Sequence, residues 1–375
     1  MGLGTYLVLL SCIFGVSALQ VFSPSAFSIR RQVGQLGFAT ETEWQYYGGR
    51  RNPLDPSQPA RTVEASGISV RLFDATLYRD GGRILLKQFL PMAVDIGERE
   101  LAVYTHLYER DGDGSTKPAA MQQAATLLGH LRTDRSFESA TFREEWSRAL
   151  PSTPPPGAGE LWLIFRWEGL STVAGFARAA QEKAWWDFDG RLALAARKKF
   201  LKVVTARTLQ VVNWLHTNGV VHRSLGSSSL ILSTYDQTLP ARLYIKAIDL
   251  GFASSASLLP AEDISQTLSR GATGPLNIIP FLARDDLHAL AYVLLELILT
   301  SSRSPYGGAD SQGGTGRPTD LQSLKRIVED LFAGDVAQFR DYCLPEPEWA
   351  LAVELLDEQA RVGCGGGASG LWTYW

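Results

Sequence analysis

Residues 219–229 read Gly-Val-Val-His-Arg-Ser-Leu-Gly-Ser-Ser-Ser and stand between a long helical run and a pair of short strands. Upstream, Leu192 to Asn218 places Leu201, Val204, Val211, Val212 and Leu215 on one stripe. That run stops at Asn218-Gly219, a helix-ending pair. Downstream, Leu230-Ile231-Leu232 and Leu243 to Ile248 read as a hairpin-like pair, and Asp249-Leu250-Gly251 follows at once. Leu287 to Thr300 is apolar on nearly all sides, so it belongs at the centre of its domain, with Asp286 at its start.

The first half of the chain has a different period. From Gly67, Ile68 to Phe73 and Ala75 to Leu77 read as a strand, Asp80-Gly81-Gly82 as a turn, and Arg83 to Leu90 as the returning strand. Glu98 to Tyr108 is helical, with Leu101, Tyr104 and Leu107 on one face. The polar stretch from Asp111 to Gly159 is expected to be the least ordered interior part. Leu161 to Phe165 is a buried strand ending at Arg166-Trp167-Glu168-Gly169. Strands first and helices after, with a break near residue 169, predict two lobes of an α+β fold.

Composition bounds the function. A chain of 375 residues with 45% apolar side chains is long enough for a sizeable core in one or two domains. A net charge of −3 argues against a nucleic-acid partner. Three cysteines, Cys12, Cys343 and Cys364, make neither a disulfide framework nor a paired-cysteine zinc site. Enzyme and binding module both remain.

No charged side chain occurs before Arg30, and the first acid is Glu41. Leu3 to Ala18 has the length of a signal-peptide core and ends in the small-x-small pattern Val16-Ser17-Ala18. A membrane anchor and a buried N-terminal element are the alternatives. An anchor needs about 20 apolar residues, and Ser17, Gln20, Ser23 and Pro24 interrupt the run. Residues 21–40 hold four Ser or Thr, two Arg, several aromatics and no acid, a transit-like composition. Residues 1–40 together resemble the two-part plastid leader of algae with complex plastids, with plain secretion as the alternative. Residues 41–63, rich in Pro, Gly, Arg and Gln, read as a linker.

Lys87, Glu100, His222-Arg223-Ser224-Leu225, Asp249-Leu250-Gly251 and Asp286 stand in a fixed order. That order resembles the eukaryotic protein kinases over residues 64–360, with a small sheet lobe at 64–168 and a helical lobe at 169–360. The resemblance implies a bilobal protein kinase-like fold. Trp162 to Gly169 and Gly219 to Arg223 look like the thylakoid state-transition kinases. Arg284 to Leu287 with Ala289 to Leu294 is similar to the casein kinase I family. Residues 361–375 are left as a Gly-rich tail.

By this resemblance Lys87 holds the α- and β-phosphates of ATP, Glu100 pairs with Lys87, and Asp249 binds Mg²⁺. Glu98 competes with Glu100 for the pairing role, and Glu100 is preferred because Tyr104 and Leu107 follow it at helical spacing. Gly67 is the surviving glycine of the phosphate loop, whose flanking positions are Ala65 and Val70. His222, Arg223 and Asp286 tie the catalytic loop to the central helix.

The loop itself departs from the pattern His-Arg-Asp-Leu-Lys-Pro-x-Asn. Ser224 stands at the catalytic Asp, Gly226 at the Lys and Ser229 at the Asn that holds a second Mg²⁺. A serine hydroxyl is a very poor base near neutral pH, so general-base assistance of about 10²–10⁴-fold is lost. Electrostatic stabilisation goes with the lysine and the metal ligand. Gly271-Ala272-Thr273-Gly274-Pro275 replaces the usual Ala-Pro-Glu. The expectation is a pseudokinase with residual nucleotide binding and a protein partner, and no stable membrane span in the mature chain. An atypical Ser/Thr protein kinase is the alternative, and a small-molecule phosphotransferase the third reading.

Overall fold

A computed structural model describes residues 19–36, 69–110, 122–134, 137, 140–169, 171–177, 191–301, 324–345, 349–350, 352–354 and 356–357. The chain divides into two compact units, Met1–Thr105 with Thr126–Trp167, and His106–Ala125 with Glu168–Trp375.

The first unit is built on a six-stranded sheet. Its strands are β1 (Gln20–Val21), β2 (Phe27–Leu36), β3 (Val70–Leu77), β4 (Arg83–Phe89), β5 (Leu127–Arg132) and β6 (Leu161–Arg166). Their spatial order is β1-β5-β6-β4-β3-β2. Only the β1–β5 pair is parallel. Helices α1 (Val94–Arg110) and α2 (Ala140–Ala149) complete the named elements. The β3–β4 turn forms where Asp80-Gly81-Gly82 predicts it. Gly81 takes φ +68°, a conformation glycine adopts without cost, and Asp80 accepts from the Gly82 amide at 2.8 Å.

Alternation along the strands divides the sheet into two faces. One carries Phe73, Ala75, Leu86, Trp162 and Ile164, packed with Phe27 of β2 and Trp146 of α2. Phe73 stacks on Trp162 at 5.5 Å, and Trp146 meets both edge-on. The other carries Lys87, Phe89, Leu161 and Phe165 beneath α1, where Tyr104 meets Phe165 at 5.5 Å. The helix comes so near that a Cβ on Gly97 would stand 2.8 Å from the Phe89 ring.

Two segments take structure that the sequence pattern does not announce. The expected leader, residues 1–40, overlaps β1 and β2. Phe27 is buried in the core, and β2 pairs with β3 from Phe27↔Leu77 to Leu36↔Val70. The sheet therefore begins well before residue 64. Within the polar stretch 111–159, β5 and α2 form because Leu127, Leu131, Trp146 and Leu150 supply apolar anchors that bury against the sheet. Each such burial stabilises by roughly 1.5–3 kcal/mol, enough to order a segment of otherwise polar composition.

The second unit is mainly helical. Its elements are β7 (Ser171–Thr172), α3 (Val173–Ala177), α4 (Arg191–Thr217), β8 (Val220–Val221), β9 (Leu230–Leu232), β10 (Ile245–Ala247), β11 (Ser254–Ser255), α5 (Ala261–Ser269), α6 (Ile278–Ser301) and α7 (Val336–Cys343). The predicted stripe of α4, Leu201, Val204, Val211, Val212 and Leu215, is fully buried. Asn218-Gly219 ends it with Gly219 at φ +70°. Strands β9 and β10 pair antiparallel as expected, Ile245 opposite Leu232.

Helix α6 starts at Ile278, nine residues earlier than its apolar run suggests. Pro280 lies in its first turn, where a missing N–H costs no hydrogen bond. Asp286 is thus interior to the helix rather than at its start. Among the described residues no helix is long and apolar enough to cross a membrane.

Candidate functional site

In the first unit, Lys87 projects from β4 toward α1, and its ammonium lies 2.7 Å from the Glu100 carboxylate. Both side chains are almost wholly buried, at 5% and 1% exposure. Glu98 points elsewhere and pairs with Arg132, so Glu100 is the partner. Residue 97 bears on this choice: with only hydrogen at Gly97, α1 packs down onto Phe89 and Leu161. Gly67 lies outside the described residues.

In the second unit, the loop after β8 is held by one carboxylate of α6. Asp286 accepts from the His222 amide at 2.6 Å, from the Arg223 amide at 2.8 Å, and meets His216 Nε2 at 3.0 Å. Only 1% of the Asp286 side chain is exposed. Two backbone donors aimed at a buried carboxylate fix the loop where Arg223 takes a left-handed φ of +62°. The Arg223 guanidinium reaches Asp263 of α5 at 2.5 Å and Ser254 at 3.3 Å. Asp263 is a partner that the sequence motif does not name.

The three departures differ in their surroundings. Ser224 is exposed. Gly226 is extended at φ −154°, and a Cβ there would have its nearest neighbours at 3.8 and 3.9 Å. Ser229 is buried and fully engaged within the loop. Its hydroxyl accepts from the Gly226 amide at 2.8 Å and donates to the Ser224 carbonyl at 3.0 Å. A hydroxyl committed to its own backbone is not disposed as a metal ligand.

Asp249 follows β10, and the residue before it is tied to the same loop. The Ile248 amide donates to the Ser229 carbonyl at 2.9 Å, and the Ile248 carbonyl meets His222 Nε2 at 3.0 Å. Asp249 then takes φ +60°, and β11 returns to pair Ser254 with Val221. Loop and carboxylate are thereby positioned as one assembly. Among the described residues no cluster of three or more His, Cys, Asp or Glu could hold a metal ion. A single half-buried carboxylate fits Mg²⁺ bound jointly with phosphate oxygens, not a cage made of protein alone.

A second buried ion pair, Lys246 with Glu168, lies in this unit and was not anticipated. Its only sequence signal is a lysine, Lys246, set between the apolar Ile245 and Ala247 of a short strand-like run.

The chain was compared with known proteins. No family model matches, and no curated protein matches. A crystal structure of the BubR1 kinase domain is similar at 12% identity over 92% of this chain and 88% of that one, with a TM-score of 0.43.

Proposed function

We propose that this chain is a protein kinase-like binding or regulatory module, a pseudokinase that keeps a nucleotide grip and has lost efficient phosphotransfer. The observation that carries the reading is the contrast between two sets of residues. The buried Lys87–Glu100 pair and the Asp286-anchored loop are intact, while the loop presents Ser224, Gly226 and an internally bonded Ser229. Lys87 is the cation for the α/β-phosphates of ATP and Asp249 the carboxylate for Mg²⁺. No base takes the acceptor proton, and no lysine neutralises the transferring group.

The test combines nucleotide binding with radiolabelled phosphate transfer on the wild type, Lys87→Ala and Asp249→Asn. Weak Mg-ATP binding lost in both variants, without transfer to protein acceptors, is the expected result. Robust transfer abolished by both substitutions would establish an atypical Ser/Thr kinase instead. No nucleotide-dependent thermal shift at all would leave a pure scaffold.

For destination, the apolar run Leu3 to Ala18 supports entry across a membrane, and the acid-free composition of residues 1–40 supports a plastid. Fluorescent fusions to residues 1–18 and 1–45 separate that destination from plain secretion.

A further inference from the structure

The acid-free strand β2 lines a cavity outside the loop and ion pair described above. About 530 Å³ in volume, it is bounded by Arg30, Arg31, Gln32 and Gly34 of β2 and by the turn Ala149–Thr153 after α2. Adjacent residues of a regular strand face opposite sides of a sheet. Here Ile29 opposes Ala75 while Arg31 opposes Asp74, so Arg30 is the extra residue of a bulge. The bulge re-aims the strand, and both arginines line the one cavity.

Its charge is only partly compensated. Among the described residues no Asp or Glu lines the cavity. The acid that Arg31 meets, Asp74, is held two-handed by Arg83 at 2.9 and 2.8 Å, leaving Arg31 a longer contact of 3.7 Å. Arg30 also acts on this one carboxylate, so three guanidiniums share it. This basic surplus sits in a protein of net charge −3.

The walls are pre-organised. Thr153 Oγ1 donates to Gln32 Oε1 at 2.8 Å, Trp146 Nε1 donates to the Thr153 carbonyl at 2.8 Å, and Arg71 reaches the Pro154 carbonyl at 3.2 Å. The turn cannot move without breaking bonds to β2 and α2. Ser152 stays exposed at the rim and adds a hydroxyl donor. Paired guanidinium forks beside a hydroxyl match the three oxygens of a phosphomonoester.

We propose that this cavity is a binding site for a phosphomonoester, carried either by a small molecule or by a phosphorylated side chain of a protein partner. Bond-forming is confined to the reversible ion pair, and no group transfer is involved.

The experiment titrates O-phosphoserine, and a phosphoserine peptide beside its unphosphorylated form, into the full chain at constant ionic strength. Calorimetry and thermal shift are the readouts. Saturable binding is expected, weakened roughly tenfold or more in Arg30→Gln/Arg31→Gln and unchanged in Arg79→Gln, a control on an exposed turn. Ser152→Asp, which leaves the strand untouched, should weaken binding by repulsion and serves if the double variant does not fold. A phosphopeptide that binds much more tightly than phosphoserine identifies a protein source. Equal binding identifies a small ester. No saturable binding by the wild type, or equal binding by wild type and the charge variants, overturns the proposal.

Discussion

Lys87 and Glu100, 13 residues apart in sequence, meet at 2.7 Å with almost no side-chain exposure. Desolvating two such charges costs several kcal/mol apiece, and an apolar pair of the same volume is often as stable. The pair is therefore weak as a reason for stability and stronger as a sign of function. Lys87→Met or Glu100→Gln alone leaves an uncompensated buried group and should cost about 3–5 kcal/mol. The double change Lys87→Met/Glu100→Leu should recover most of that in urea denaturation while abolishing nucleotide binding. A double variant as unstable as either single one would mean that the pair holds the fold.

Asp286 concentrates three contacts on one buried carboxylate. Asp286→Asn keeps the shape but turns an amide donor toward one of two backbone N–H groups. A buried donor left unsatisfied costs about 1–3 kcal/mol. Loss of that size is expected, together with faster hydrogen exchange at the His222 and Arg223 amides. Unchanged exchange there would show that α5, through Asp263, holds the loop without Asp286.

The loop departures are reversible in principle. Ser224 is exposed and Gly226 has room for a Cβ, so Ser224→Asp/Gly226→Lys should fold like the parent. Restoring a base should raise phosphate transfer by about 10²–10⁴-fold over the parent's background. Retained Mg-ATP binding with no rise in transfer would place the defect outside this loop. Ser229→Asn is a separate case, because it removes the hydroxyl bridge between Gly226 and Ser224.

A chain starting at Leu19 should fold, and one starting at Gly37 should not. The shorter chain lacks β1, β2 and the Phe27 anchor of the core. Phe27→Ala in the full chain should cost about 3 kcal/mol. N-terminal sequencing of the mature protein should find a start near Leu19. A mature start near residue 41 with a cooperative unfolding transition would remove β2 from the required fold.

What could be read beforehand divides along physical lines. The α4 stripe and the β3–β4 and β9–β10 pairs rest on local period and turn residues, and all are present. Helical spacing toward Tyr104, buried on the same helix, selects Glu100 over Glu98. Strand β2 was illegible because two bulges break its alternation and its partner Val70 is 34 residues from Leu36 in sequence. Phe142 and Trp146 are too few large apolar residues to announce α2, which forms where Phe73 and Trp162 receive Trp146. Asp263 was missed because nothing local to α5 signals that Arg223, 40 residues upstream, needs a carboxylate.

Asp74 gives a pH test of the strand that carries the proposed cavity. Hydrogen bonds from Arg83 hold its carboxyl below the ordinary value of 3.8, against the opposing effect of burial. A carboxyl depressed in the folded state stabilises fully above its unfolded value, and the contribution fades as pH falls through the folded one. Asp74→Asn should therefore lower the urea midpoint at neutral pH. The gap from wild type should narrow as pH falls below about 4, where the wild-type carboxyl begins to take up its proton. Salt should shrink it too, since Arg83 is substantially exposed. A gap constant from pH 7 to pH 2 would mean that the substitution acts through packing, and that Asp74 does not take up the charge of Arg31 and Arg83.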